Sequence, residues 1–282
     1  MPEATMAASM QQAVQTGYAL AAFNVVTLEH AEGIIAGAER AGRPVILQIS
    51  ENAVGFHGGR VGPIAAAMHE LAAAASVPVI LHLDHIESQA VQDQAEAALI
   101  TSIMIDNGRF PYDENVERTA TAVDVLHGGQ VFVEAELGWV GGKDSQVVSA
   151  HQPGVRTDPA QAAEYVAATG VDALAVAVGS SHAMTSQTAT LDIDLIRALA
   201  STVPVPLVLH GSSGVPDDML RAACAAGMSK INVGTALNIA FTGSLRSTLS
   251  ASDGVDPRPH LAAARDAVAS TVHHVLSTIS KY

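Results

Sequence analysis

Short apolar runs alternate with helical patterns eight times between residues 20 and 250, and no other feature restricts the fold of this chain as strongly. Strands are predicted near 20–26, 44–50, 78–84, 102–106, 130–137, 172–178, 205–210 and 230–234. Helices are predicted near 28–42, 60–76, 87–99, 113–128, 159–169, 192–202, 216–226 and 236–250. Prolines support this register. Pro44, Pro78 and the Val203-Pro-Val-Pro206 segment open strands, whereas Pro159 and Pro216 stand where a helix begins and a missing N–H costs little. Eight repeated βα units close a barrel, so the expectation is an α/β fold: a single (βα)8 TIM barrel domain over 1–282. An additional C-terminal helix near 260–280 must pack on the barrel or on a partner subunit. Residues 138–158 and 180–191 break the alternation and read as long loops of the kind that form lids or binding sites.

Composition removes several classes of partner. Fourteen basic residues against 28 acidic ones give a formal net charge of −14, a field that repels nucleic acid and anionic membranes. A phosphorylated ligand must then be held by backbone N–H groups, helix N-termini, a metal or a few placed cations. The single cysteine, Cys224, lies in a helical pattern and cannot form an internal disulfide, which fits a reducing cytoplasm. Residues 1–15 lack a leader pattern, and no apolar stretch is long enough to span a bilayer. The expectation is a soluble cytoplasmic protein.

Three histidines each close a strand-like run: Val79-Ile-Leu-His-Leu-Asp-His85, Leu174-Ala-Val-Ala-Val-Gly-Ser-Ser-His182 and Leu207-Val-Leu-His210. In one barrel they converge at the carboxyl-terminal mouth, and three imidazoles that leave one position open are the ligand set of a catalytic zinc. A lone strand-end histidine is often only a hydrogen-bonded core residue; the recurrence at three strand ends is what points to a site. Strand alternation puts Asp84 on the same face as His82 while His85 enters the loop. Asn24, Ser50, Asp106, Glu134 and Glu136 also fall at the mouth. A carboxylate there can cap a helix or pair with lysine, but beside the histidines Asp106 and Glu136 suit an orienting or alternate metal-ligand role. Gly211-Ser-Ser-Gly214 and Asn232-Val-Gly-Thr235 follow strands seven and eight, the recurrent phosphate address of this fold. The other histidines, among them His30, His57, His69 and His260, read as surface or core residues.

At these residues the chain resembles the class II, metal-dependent ketose-bisphosphate aldolases, including those acting on fructose and tagatose bisphosphates. The matching segments run in order over nearly the whole chain: Ala22-Phe-Asn24, Leu81-His-Leu-Asp-His85, Met104-Ile-Asp106, Val133-Glu-Ala-Glu-Leu-Gly138 with Gly141-Gly142, Leu174 to Gly179 with His182, Leu207 to Gly214, Lys230 to Thr235, and Asp256-Pro-Arg258. The resemblance implies one catalytic Zn2+ on His85, His182 and His210, with Asp106 and Glu136 flanking or alternately binding it. It implies that Asp84 exchanges a proton with the hydroxyl that becomes the aldehyde. The reaction implied is reversible cleavage of a ketose 1,6-bisphosphate to dihydroxyacetone phosphate and glyceraldehyde 3-phosphate, through an enediolate whose charge the metal stabilises. The resemblance implies that Gly211, Ser213, Asn232 and Thr235 surround dihydroxyacetone phosphate, with a monovalent cation (Na+ or K+) near the phosphate; Asn24, Ser50, Gly179, Ala183, Ser212, Val233 and Gly234 are further expected substrate contacts, and Arg258 or Arg265 is expected at a second phosphate. A homodimer or homotetramer is expected.

Several positions depart from the family pattern. Ala183 stands where glycine is usual after the second histidine and Thr185 where a tyrosine is usual two places on, Lys143-Asp144 where a mobile-loop glutamate is usual, and Gly108 where a serine is usual. Asp144, one methylene shorter, is the expected loop base in place of that glutamate; the alternative is that Lys143 alters specificity there. Two other function classes compete. A zinc hydrolase on the same barrel favours a His-x-His pair on strand one, which instead ends Phe23-Asn24-Val25. A silent binding paralogue fits Ala183 and Lys143, but the retained histidines and Asp84 oppose it.

Overall fold

The computed structural model describes residues 4–138 and 156–280. The chain opens with α1 (Met6–Thr16), β1 (Leu20–Asn24), α2 (Leu28–Ala41), β2 (Val45–Ser50), α3 (Glu51–Phe56), α4 (Gly62–Ala74) and β3 (Val79–Ile86). It continues with α5 (Gln89–Gln92), β4 (Ser102–Ile105), α6 (Tyr112–Gly128), β5 (Phe132–Leu137), α7 (Pro159–Thr169) and β6 (Ala173–Val176). The remaining elements are α8 (Ile193–Thr202), β7 (Leu207–Leu209), α9 (Asp217–Ala226), β8 (Met228–Val233), α10 (Thr235–Ser250) and α11 (Arg258–Ile279). All eight strands are parallel, and β8 pairs with β1 to close the barrel. The expected TIM barrel with its extra C-terminal helix is therefore the fold.

Side-chain chemistry is layered along the barrel axis. At the amino end, Leu20, Ala22, Ile46, Ile80, Ala173, Ala175 and Val208 form an apolar cluster that Met6, Met10 and Ala13 of α1 cover. Those three residues recur at helical spacing, Thr5 caps the helix by accepting from Ala8 N–H, and Gly17 ends it at φ 69°. The sequence reading contains no helix here, although these signals were present. Above the plug, fully buried Gln48, His82, Ser102, Glu134 and Lys230 fill the middle of the barrel with polar groups.

Around the barrel most helices fall where the periodicity places them, with one exception. Within the predicted 87–99 helix only Gln89–Gln92 is α-helical. Beyond it the bonds shorten to three residues, as in Gln94 N–H to Val91 O and Ala95 N–H to Gln92 O. The Gln94 side chain accepts from Val61 N–H and donates to Gly59 O, so contacts with another loop override helical propensity. The C-terminal helix α11 lies on α2 and α10. Gly33 and Gly37 of α2 allow this approach: a Cβ at Gly33 would meet Arg265 O at 2.7 Å, and one at Gly37 would meet Ala269 O at 2.5 Å.

The strand pairing that matters most for chemistry is irregular. Leu83 pairs with Ile103 and Ile86 with Ile105, so β3 carries one extra residue against β4. His85 sits in that bulge at φ 52°, in the left-handed region. Alternation alone would turn Asp84 and His85 to opposite faces. The bulge lets both reach the mouth.

Candidate active site

His85, His182 and His210 converge at the carboxyl end of the barrel, with ring centroids 5.1, 4.7 and 5.7 Å apart for the pairs 85–182, 85–210 and 182–210. One ligand-type atom from each, together with one from Glu136, lies within 4.8 Å of the others. Two rings are held from behind. His85 Nδ1 lies 2.7 Å from Asp106 Oδ2, and His210 Nε2 lies 3.0 Å from Glu134 Oε1. Each bond fixes a tautomer and turns the opposite nitrogen toward the cluster.

His85 Nε2 is buried without a hydrogen bond, and His210 Nδ1 and Glu136 Oε2 are buried 3.1 Å apart with no other partner. Buried polar atoms without partners are costly, and a divalent cation placed among these nitrogen and carboxylate donors would satisfy them. The donor set therefore fits zinc. In its absence burial disfavours the His210 imidazolium, but hydrogen bonding to Glu134 and Glu136 outweighs that and pushes its pKa up to about 9. The pocket attracts a positive charge.

Asp84 lies beside this cluster with only 4% of its surface exposed. Its Oδ2 is 3.4 Å from Asn24 Nδ2 and from Gln48 Nε2, while its Oδ1 is 3.3 Å from Asn232 Nδ2. Burial favours the protonated acid, but the positive fields of His85, His210, Lys230 and His82 prevail and hold Asp84 below the usual carboxylate range. Gln48, which also donates to Asn24 Oδ1 at 2.8 Å, was missed in the sequence reading. Its only signal was a polar residue at an inward position of β2, paired in register with His82.

Beneath lies a charged layer. Glu134 Oε2 accepts from Lys230 Nζ at 2.8 Å, with both side chains buried. Burial would raise the Glu134 pKa, but Lys230 and the His210 hydrogen bond hold it far below the usual range. His82 donates to or accepts from Ser102 Oγ at 2.7 Å. Burial and the Lys230 charge push its pKa down to about 3, leaving this histidine neutral and structural.

The loops after β7 and β8 meet at the same mouth. Residues 212–214 form a 3-10 turn, in which Ser212 Oγ donates to Leu209 O. Ser213 Oγ accepts from Ala236 N–H in the first turn of α10, joining the two small-residue loops. Asn232, Val233, Gly234 and Thr235 lead into that turn, and a Cβ at Gly234 would stand 2.8 Å from Asn24 Oδ1. Gly211, at φ 67°, would drive a Cβ to 2.6 Å from the Ser181 carbonyl, and Gly179, at φ 118°, packs on Thr190 O. Both glycines thus have packing reasons to be glycine. Ala183 takes φ 58° without that freedom.

Other predicted residues lie as follows. Ser50 Oγ accepts from Ala53 N–H and caps α3, and Gly108 N–H donates to Asp106 Oδ1. Arg258 is exposed and paired with Asp256 on the α11 side of the molecule. Asp144 and Lys143 lie outside the described residues. Cys224 is buried with its thiol pushed up to about 12 by desolvation, which fits its reading as a small core residue.

The sequence profile described as "Fructose-bisphosphate aldolase class-II" matches residues 4–281. A curated relative from Bacillus subtilis (strain 168), named "Probable fructose-bisphosphate aldolase", is 38% identical over 276 residues, covering 96% of this chain and 95% of that protein. The crystal structure of the YdjI aldolase from Escherichia coli K12 is similar with a TM-score of 0.85 and 33% identity, covering 98% of this chain and 97% of the other. A fructose-bisphosphate aldolase structure from Campylobacter jejuni, 22% identical with a TM-score of 0.80 over 96% of this chain and 92% of its own, shares the fold.

Proposed function

Because the chain belongs to the class-II fructose-bisphosphate aldolase family, whose members are metal-dependent lyases acting on phosphorylated sugars, we propose that it is a zinc-dependent enzyme cleaving a ketose 1,6-bisphosphate of fructose or tagatose type to dihydroxyacetone phosphate and glyceraldehyde 3-phosphate. The observation that carries this reading is the convergence of His85, His182, His210 and Glu136 donor atoms within 4.8 Å, next to a buried carboxylate at Asp84. Bound there, zinc supplies Lewis acidity toward the ketone oxygen. Asp84, held ionised by its cationic surroundings, takes the proton of the hydroxyl that becomes the aldehyde as the carbon–carbon bond breaks. Asn24, Gln48 and Asn232 keep its carboxylate from rotating away. Asp106 orients His85.

Phosphate recognition rests on Gly211, the Ser213 hydroxyl and Thr235 at the start of α10, small groups that admit an anion in an otherwise acidic protein, with Ser213 tied to that turn by accepting from Ala236 N–H. A nearby monovalent cation, a cytoplasmic location and a homodimer or homotetramer belong to the same proposal. Among the described residues no helix is long and apolar enough to cross a membrane, and Ile239, Leu249 and Val255 on and after α10 are exposed apolar groups suited to a subunit contact. A second reading, a family member acting on a different ketose phosphate, is favoured by Ala183 beside His182. Retro-aldol assays on a ketose panel varied in the aldehyde half, with and without chelator, test both. Cleavage of fructose or tagatose bisphosphate that chelation abolishes supports the first. Full activity after exhaustive chelation refutes zinc dependence, and activity confined to other ketoses replaces the first reading with the second.

A further inference from the structure

Among the charged groups buried in the barrel, the Glu134–Lys230 pair sits directly behind a cluster histidine. We propose that Glu134, fixed by Lys230, is a positioning residue that forces His210 to meet the metal through Nδ1. This rests on the reading of His210 as a metal ligand. Imidazole has two nitrogens, and the one that carries the proton decides which one can bind a cation. Glu134 Oε1 lies 3.0 Å from His210 Nε2. As a carboxylate it can only accept, so on the neutral ring the proton stays on Nε2, and Nδ1, which faces Glu136, is the nitrogen left for a cation. His85 is arranged the opposite way, with Asp106 on Nδ1. The cluster is thus built from histidines of opposite tautomer.

Lys230 explains why Glu134 stays put. Its Nζ lies 2.8 Å from Oε2, the oxygen that His210 does not use, so each carboxylate oxygen has one donor and rotation of the group would break both bonds. The three residues come from three strands: β5 supplies Glu134, β8 supplies Lys230, and His210 follows β7 directly. A distortion of any of these strands would reach the ligand atom. A merely structural ion pair would have no such directional link to the cluster.

The experiment separates structure from positioning. The double variant Glu134→Leu/Lys230→Met removes both charges and the acceptor, an exchange that buried ion pairs often tolerate without loss of stability. Its thermal midpoint should stay near that of the unaltered protein, while its affinity for Co2+, measured by chelator competition, falls by about 10–100-fold. The visible spectrum of the bound cobalt should change shape. Glu134→Gln/Lys230→Gln, which keeps an acceptor for Nε2–H, should recover most of the affinity. Equal cobalt affinity and spectra in all three proteins overturn the inference, whereas failure of the unaltered protein to bind cobalt overturns the ligand reading beneath it. Should both variants fail to fold, 15N-histidine NMR of the unaltered protein loaded with Zn2+ still decides. A metal-bound ring protonated at Nε2 supports the inference, and metal-bound rings all protonated at Nδ1 overturn it.

Discussion

Replacing Gly211 with alanine tests whether the close approach of two loops holds the metal site together. The residue takes φ 67°, and an added Cβ would stand 2.6 Å from both C and O of Ser181 and 2.9 Å from its N. The left-handed conformation costs an L-residue about 1–2 kcal/mol. The clash is with backbone, which cannot rotate away as a side-chain tip can, and overpacking of this kind costs a further ~1–3 kcal/mol. Alanine also stiffens the unfolded chain, which returns about 0.4–1 kcal/mol. The net loss is about 1–5 kcal/mol, and a mid-range value of about 3 kcal/mol lowers the melting temperature by about 6–12 °C in a domain of this size. Because Ser181 precedes His182 and Gly211 follows His210, relief of the clash also displaces two cluster residues, so divalent metal affinity falls with stability. Calorimetry and chelator competition measure the two effects. Gly243→Ala is the control: its Cβ meets nothing within 4 Å inside α10, so it should stabilise by about 0.5–1 kcal/mol. A Gly211→Ala protein with unchanged melting temperature and metal affinity would refute the argument.

Asp84→Asn should keep the metal but lower turnover by about 10²–10⁴-fold, read by steady-state assay beside metal analysis; near-normal turnover removes Asp84 from the chemistry. In the metal-free protein His210 is raised from 6.5 to about 9, so its protonation contributes stability that is fully present below 6.5 and is lost as pH rises through about 9. The same proton competes with metal, so apparent metal affinity should climb as pH approaches about 9 and level off above it; a flat profile in a competition titration contradicts this. Ala183→Gly relieves a left-handed strain of about 1–2 kcal/mol and loses about 0.4–1 kcal/mol to unfolded-state freedom, so urea denaturation should show a gain of up to about 1.5 kcal/mol. It should also lower the Michaelis constant for a phosphorylated ketose if the methyl crowds the phosphate, and a clear loss of stability would show that Ala183 is not strained.

The barrel was legible because each βα unit repeats the same local code: an apolar run, a helical period and a proline or glycine at the junction. The helix α7 matches its predicted span of 159–169 because Asp158 caps Gln161 N–H, Pro159 occupies the first turn and Gly170 ends it at φ 73°. The 87–99 segment failed because its fate is decided by Gln94 reaching the Gly59–Val61 loop, a tertiary bond that no local period encodes. The polar layer inside the barrel was only half legible. Glu134 stood out as a carboxylate in a strand, but Gln48 and Lys230 acquire meaning only when β2, β3, β5 and β8 are brought round one axis.

The histidine cluster needed a further kind of information, because it is assembled where the backbone leaves regular geometry. Among the described residues, four that are not glycine have positive φ. Leu99 and Gln130 end helical or turn segments that precede β4 and β5, at the amino end of the barrel. The other two lie at the mouth: His85 is itself a cluster residue, and Ala183 follows His182 directly. Gly211, also left-handed, follows His210 directly. A left-handed turn thus stands at or immediately after every histidine of the cluster. At β3 it takes the form of a bulge that breaks alternation and brings Asp84 and His85 to the same mouth. Such conformations cost free energy and persist where surrounding structure over-determines them, which is how functional sites differ from the scaffold that carries them. Only Gly211 announces its turn in the sequence. His85 and Ala183 conceal theirs, which is why strand alternation placed the histidines at the right end of the barrel but could not show how Asp84 and the adjacent His85 come to face the same cluster.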